Sequence, residues 1–450
     1  MSAEGAAPGQ ARISTRLLLG VLISTVFVSV LNSSMVNVVV PVIGRDYSAS
    51  EAQVGWVITG YLLTYAVGIP LYGRVADIFS IRRAFAFGLL MFAVGSLLCA
   101  WAPSLGTLVF GRIVQGAGGA AIPALSSVVV TKILPPGERG SALGLIVSSV
   151  GIGAAVGPIV GGAVAALAGW HYLFIGTLLL TLALLPAVLY VLPDDRPEEA
   201  RGFDLPGGLL LGLAAGLFLY GITRGQVSGF ESTSSWGSFI GAALAAVGFA
   251  WRIRSAAEPF VSPALFRNRA YVAAVVIGYF SMLANVSALV FVPLLVSEVN
   301  GLSPGEAGLV LTPGAVALAI ISPVAGRLSD TIGVRVLILA GLTTMLVSIV
   351  SISTFGAGAS PVIVSLGMLG VGAGFALANS PNVNAAASAL RPDEVGAGLG
   401  IFNGLFFLGG GTGPSGPAPP RSAGAVRKAC ASGPRAGRSR ARSGWPVVPS

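Results

Sequence analysis

Gly111-Arg112-Ile113-Val114-Gln115-Gly116 puts a guanidinium and an amide inside an apolar run over residues 105–130. A charge at that depth in a bilayer costs several kcal/mol unless it is hydrated or paired. Arg112 therefore either faces a wet central cavity, with Gln115 one turn away, or ties its helix to a neighbour through backbone or Asn oxygens. Other apolar runs carry Asn32, Asn37, Asn285, Asn379, Asn382 and Asn384. Amides in hydrocarbon must be satisfied, so these line a substrate cavity or bridge helices. Asn379 and Asn382 are three apart and share one helix face. Tyr61, Tyr65 and Phe280 offer rings that either stack on a planar ligand or pack. Cys99, Cys430 and His171 form no metal or disulfide set. No Ser/His/Asp or paired-carboxylate constellation gathers at one face, so the expected chemistry is binding and movement of solutes, with no enzyme activity, metal or cofactor.

The elements that must hold these residues are membrane helices. Hydrophobic residues make up 54% of the 450 and charged ones 10%, with a mean hydropathy of +0.86. Together with long apolar runs, this excludes a soluble globular protein. Met1 to Arg16 is polar and no small-residue cleavage site follows it, so the first span serves as its own insertion signal. Spans are predicted at 17–41, 52–72, 83–101, 105–130, 141–166, 170–192, 205–224, 236–253, 271–297, 306–326, 335–355, 361–390 and 396–413. Loops after even-numbered spans hold most of the basic residues, among them Arg74, Arg82, Arg83, Lys132, Arg139, Arg252, Arg327 and Arg335. Loops after odd-numbered spans hold Arg45 and Arg224. That bias places the N-terminus in the cytoplasm. The formal charge of +9 is concentrated at one end: Arg421, Arg427, Lys428, Arg435, Arg438, Arg440 and Arg442 lie beyond residue 414, where no acid occurs. The basicity thus belongs to a tail and implies no nucleic-acid partner.

Gly73-Arg74-Val75-Ala76-Asp77, followed by Arg82-Arg83, recurs 253 residues on as Gly326-Arg327-Leu328-Ser329-Asp330, followed by Arg335. Two copies of one charged hinge between apolar runs imply two related halves. Each glycine lets helices approach closely, and each Asp can accept from a helix N-terminus or pair with Arg across the gap. The hinge resembles the signature loop of the major facilitator superfamily. Gly153, Gly157, Pro158, Gly161 and Gly162 resemble the antiporter motif of that family's drug-exporting branch, and glycines four apart also make a packing stripe. Arg112 matches the span-four arginine that the family implicates in proton transfer. Leu31-Asn32 followed by Val36-Asn37-Val38 and Pro41 resembles the span-one pattern of fourteen-span exporters, except that Asn32 stands where they carry Asp.

The resemblance implies an all-α polytopic fold of two six-helix halves with two extra central helices and the last span or spans missing. Residues 1–16 are then a cytoplasmic tail, 17–192 the first half, 193–204 a linker and 205–253 the extra spans. A cytoplasmic loop follows over 254–270, then an incomplete second half over 271–414 and a basic, disordered tail over 415–450. The abrupt change in composition near Thr412 to Ser415 reads as a shifted frame or truncation, or else as an authentic tail bound to anionic lipid. The implied activity is proton-coupled efflux of drug-like amphipathic molecules by a monomer in the bacterial cell membrane. Two alternatives stand beside it: a tetracycline-type metal-drug exporter, since such exporters also carry Leu-Asn in span one, and an inactive fragment. The gate is expected to pair Asp77 with Arg82 and Asp330 with Arg335. None of the 17 acids lies deep in a span. Protons therefore use Glu298 with Arg112, or a carboxylate in absent spans, or another ion replaces them.

Overall fold

The computed structural model describes residues 15–194, 204–256, 258–302, 304–356, 358 and 360–412. The tail over 415–450 and most of the expected linker lie outside the described residues. Among those described, the regular elements are helices: α1 (Thr15–Asp46), α2 (Glu51–Ile78), α3 (Ile81–Ala100), α4 (Leu105–Gly119), α5 (Ala121–Ile133), α6 (Pro136–Leu167), α7 (His171–Val191), α8 (Leu205–Ser228), α9 (Thr233–Ser255), α10 (Arg269–Glu298), α11 (Pro304–Ile332), α12 (Val334–Phe355), α13 (Pro361–Ser388) and α14 (Val395–Gly411), with a 3-10 turn at Pro263–Arg267. Among the described residues, twelve helical stretches are long and apolar enough to cross a membrane, α4 and α5 counting as one, while α14 is shorter at 17 residues. The single predicted span over 105–130 is broken because Pro123 removes a donor just after Gly118-Gly119-Ala120.

Local chemistry sets the helix ends. Asn268 caps α10 by accepting from the N–H groups of Ala270 and Tyr271, and Asp204 caps α8 by accepting from Gly207. The turn from α11 to α12 is a single glycine, Gly333, at φ 95°, a conformation that a Cβ would strain.

Helices α1 to α7 pack as one group and α10 to α14 as another, with α8 and α9 forming a hairpin set against α2. Asp204, with a side chain 1% exposed, fastens that hairpin. Besides capping α8, it pairs with Arg252 Nε of α9 at 3.0 Å and accepts from Phe260 N at 3.2 Å.

The apolar core is distributed unequally along the bundle. At the end bearing the repeated hinge, one continuous cluster joins both groups, with Phe85, Leu134 and Leu143 on one side and Val383, Val395 and Phe402 on the other. At the opposite end there are two separate clusters, one built on Val36, Ile43, Cys99 and Trp170 and the other on Val292, Val296, Val310 and Val364. The halves are sealed together at the hinge end.

Candidate functional site

The seal is built from two matching helix crossings. Gly73 of α2 lies against α14 so closely that a Cβ there would strike the Gly396 carbonyl and the Gly400 backbone. Gly326 of α11 meets α6 in the same way, where a Cβ would strike the Gly140 carbonyl, and Gly144 in turn faces the Ser322 carbonyl. Each crossing is locked by the aspartate one turn after the hinge glycine. Asp77 accepts from the N–H groups of Gly396 at 3.0 Å and Ala397 at 2.8 Å, at the first turn of α14. That is where the helix dipole favours a carboxylate. Lys132 Nζ reaches the same carboxylate at 3.0 Å, and the Asp77 side chain is only 3% exposed. Asp330 accepts from Asn384 Nδ2 at 3.2 Å and from the backbone of Ser141 in the first turns of α6. It is the more exposed of the two.

The expected pairs Asp77–Arg82 and Asp330–Arg335 do not form. Arg82 and Arg83 instead converge on Asp194, just past α7, at 3.3 and 3.4 Å, and Ser80 Oγ donates to the same carboxylate at 2.6 Å. Hydrogen bonding from Ser80, and then Arg83, holds the Asp194 carboxyl below the usual carboxylate range. The reason for the correction is geometric. Helix α3 starts at Ile81 and carries both arginines towards α7, whereas Asp77 still belongs to α2 and points across the seam. Arg335 sits at the start of α12 and makes no ion pair with Asp330.

Gly153, Gly157 and Gly161, expected as an antiporter motif, pack within the first half. Gly153 faces Phe27, Val30 and Leu31 of α1, Gly157 faces Ser34, and a Cβ at Gly161 would come within 2.9 Å of the Met35 Cα. Pro158 is exposed, and a Cβ at Gly162 would meet open space. A second stripe on α6 was not legible as such: Gly140, Gly144, Ser148 and Gly151 face α11, with Ser148 Oγ donating to the Ala319 carbonyl. Nine residues of helix turn through about half a revolution, so Gly144 and Gly153 lie on opposite faces and α6 is gripped on both sides. A signal existed. Gly140-Ser141-Ala142-Leu143-Gly144 and Gly396-Ala397-Gly398-Leu399-Gly400 repeat one pattern of small residues and leucine at nearly the spacing of the hinges.

Arg112 is 1% exposed. Its Nε donates to the Val57 carbonyl and its Nη1 to Asn32 Oδ1, both at 3.1 Å, and Nη1 also donates to Gln115 Oε1. The guanidinium lies 4.1 Å from the Tyr61 ring centre. Asn32 Nδ2 donates on to Thr177 at 3.0 Å and Gln115 Nε2 to Ser96 at 2.7 Å. The cation is thus solvated by neutral oxygens and a ring face, joining α1, α2, α3, α4 and α7. Of the other amides, Asn37 is exposed and Asn285 half-buried. Asn382 donates to the Ala274 carbonyl at 2.8 Å, and Asn384 serves the Asp330 lock. Asn379 is 5% exposed with no partner for Oδ1. Asn403, buried in α14 and 3.5 Å from Ser127 Oγ of α5, is a polar link between the halves that the sequence reading passed over. Tyr65 meets Phe407 edge-on at 5.2 Å across the same junction, while Phe280 is exposed. The side chain of Glu298, at the end of α10, lies outside the described residues.

Comparison with known proteins agrees with this architecture. The multidrug resistance protein Stp of Mycobacterium tuberculosis is 31% identical over 388 residues, 85% of this chain and 71% of that one. The tetracenomycin C resistance and export protein of Streptomyces glaucescens is 30% identical over 397 residues, 88% and 74% of the two chains. The riboflavin transporter RibZ of Clostridioides difficile is 27% identical over 375 residues, 83% and 81%. The human organic anion transporter TETRAN superposes with a TM-score of 0.66 at 14% identity, covering 89% of this chain and 92% of its own. Residues 22–414 match the Major Facilitator Superfamily. With two helical groups, a hinge repeated in each and a reciprocal pair of seams between them, the chain belongs to that superfamily of membrane transporters.

Proposed function

We propose that the chain exports drug-like amphipathic molecules by alternating access, taking up protons in exchange, as a monomer in the bacterial cell membrane with its N-terminus in the cytoplasm. The observation that carries the reading is the paired seam. A bundle whose halves share one core at the hinge end, and have separate cores at the other, is closed on one side of a two-state rocker. The basic loops of the sequence put that closed end in the cytoplasm. Gly73, Asp77, Gly326 and Asp330 are the inner gate. Arg82, Arg83 and Arg335 brace its flanks. Export is supported by the Gly153, Gly157, Pro158, Gly161, Gly162 run and by relatives whose names state resistance and export. Drug binding is assigned to the space between the halves near Asn37, Asn285, Asn379 and Asn382. Asn32 and Gln115 hold Arg112 beside it.

Proton exchange is assigned to Glu298, with Arg112 supplying the positive field of the first half. Arg112 is held by neutral acceptors, so its charge is not cancelled by a paired carboxylate. The test is efflux from a pump-deleted host and drug-driven proton release in acidified inverted vesicles. The parent is compared with Asp77→Asn, Arg112→Ala and Glu298→Gln. Resistance to at least one compound that falls in Asp77→Asn, and proton release that is lost in Glu298→Gln, are the expected results. If no compound separates parent from Asp77→Asn, the exporter reading fails; if Glu298→Gln still moves protons, its assignment fails.

A further inference from the structure

A groove of about 940 Å³ runs along the outside of the first half, between α2 and α3 on one side and α8 on the other. It lies outside the two glycine seams, and of the residues assigned to the gate only Arg83, on its flank, reaches it. Its walls are Leu63, Val67, Leu71, Phe87, Leu209 and Leu213, and Leu209, Leu213 and Phe87 are each more than half exposed. Gly212 lets α8 lie close to α2, since a Cβ there would come within 2.6 Å of a Val67 methyl and that side chain would have to shift. From Phe79 to Leu63 the α2 wall is about 24 Å long, more than the roughly 15 Å of hydrocarbon in one leaflet.

Thr64, Tyr72 and Tyr220 add hydroxyls to this lining, and Arg83 is the one charged residue of it. Arg83 stands at its hinge-end mouth, with a side chain 62% exposed. Among the described residues, Arg82 and Arg83 share the single carboxylate of Asp194, through contacts of 3.3 to 3.4 Å, so the described cluster carries one positive charge in excess. An apolar channel of acyl-chain length that ends in an exposed guanidinium complements an anionic amphiphile lying along the membrane normal. The geometry points to a binding site for one anionic phospholipid of the hinge-side leaflet: phosphate on Arg83, acyl chains between α2 and α8. The bound lipid fills the wedge between the first half and the α8–α9 hairpin, and so holds the hairpin to the transporter core.

Native mass spectrometry of the full chain, with phosphatidylglycerol or phosphatidylcholine of identical acyl chains, tests this. One net guanidinium near a membrane surface gives retention of one phosphatidylglycerol over phosphatidylcholine by about fivefold. Arg83→Gln removes that preference. Leu213→Trp, which fills the groove, lowers retention of both lipids while leaving the melting temperature of the delipidated protein unchanged. Asp194→Asn, which leaves both arginines unneutralised, raises the preference. Equal retention of the two headgroups by the parent overturns the inference, as does an intact preference in Arg83→Gln or unaltered retention in Leu213→Trp. Stoichiometric displacement of the lipid by an exported compound also overturns it, since the groove would then be a substrate site.

Discussion

Replacing Asp77 with Asn tests the proposed gate at its most concentrated point. The carboxylate accepts two N–H groups at the start of α14 and a Lys132 ammonium, while 3% exposed. Asn keeps one acceptor oxygen and nearly the same volume, so the loss is electrostatic and not steric. A carboxylate at a partly buried helix N-terminus contributes up to about 2 kcal/mol, and charge-assisted hydrogen bonds are roughly twice as strong as neutral ones. A loss of about 1–2 kcal/mol confined to the closed state shifts the open-to-closed ratio at the hinge end by roughly 5- to 30-fold. Spin labels at Phe79 and Ile332, both exposed and on different halves, report that ratio by double electron–electron resonance on a background lacking Cys99 and Cys430. A longer-distance population that grows in Asp77→Asn is expected. Asp330→Asn should give a smaller shift, because that carboxylate is more exposed and has Asn384 in place of a lysine. An unchanged distance distribution in Asp77→Asn, or an effect larger in Asp330→Asn, would refute the reasoning.

Gly140→Leu puts a side chain into the Gly326 carbonyl and should abolish hinge-end closure and transport, while Gly162→Ala, which meets open space, should leave both intact; labelled-pair distances and efflux distinguish them. Arg112→Met leaves Asn32 Oδ1 and Gln115 Oε1 without their donor, at about 1–3 kcal/mol for each buried orphan, while the Val57 carbonyl keeps its helical bond, so the first half should melt at lower temperature in detergent; an unchanged melt would show that water replaces the guanidinium. The Asp194 carboxyl titrates below its unfolded value, so its stabilisation of the α2–α3 turn is present above about pH 4 and is lost as pH falls through the lower folded value. Acid-dependent protease sensitivity of that turn should therefore vanish in Asp194→Asn, which is sensitive at all pH values.

The sequence determined the helices, because hydrocarbon demands that every backbone group be satisfied within its own segment and the apolar runs are long enough to say where. It also determined the two-fold repeat, since the hinge is written twice, and it marked Arg112 and Asn32 as buried polar groups in need of partners, whereas their bond to each other came from the packing. Partner choice at the hinge was decided by tertiary structure. Asp77 and Arg82 are neighbours in sequence, yet a helix boundary between them sends one towards α14, 319 residues away, and the other towards α7. The two stripes of α6 show the same limit: glycine spacing says that a face is smooth, and only packing says whether α1 or α11 lies against it. Local segments fix their own backbone hydrogen bonds, whereas the direction in which a buried charge finds its partner depends on helices that the chain brings back from far along its length.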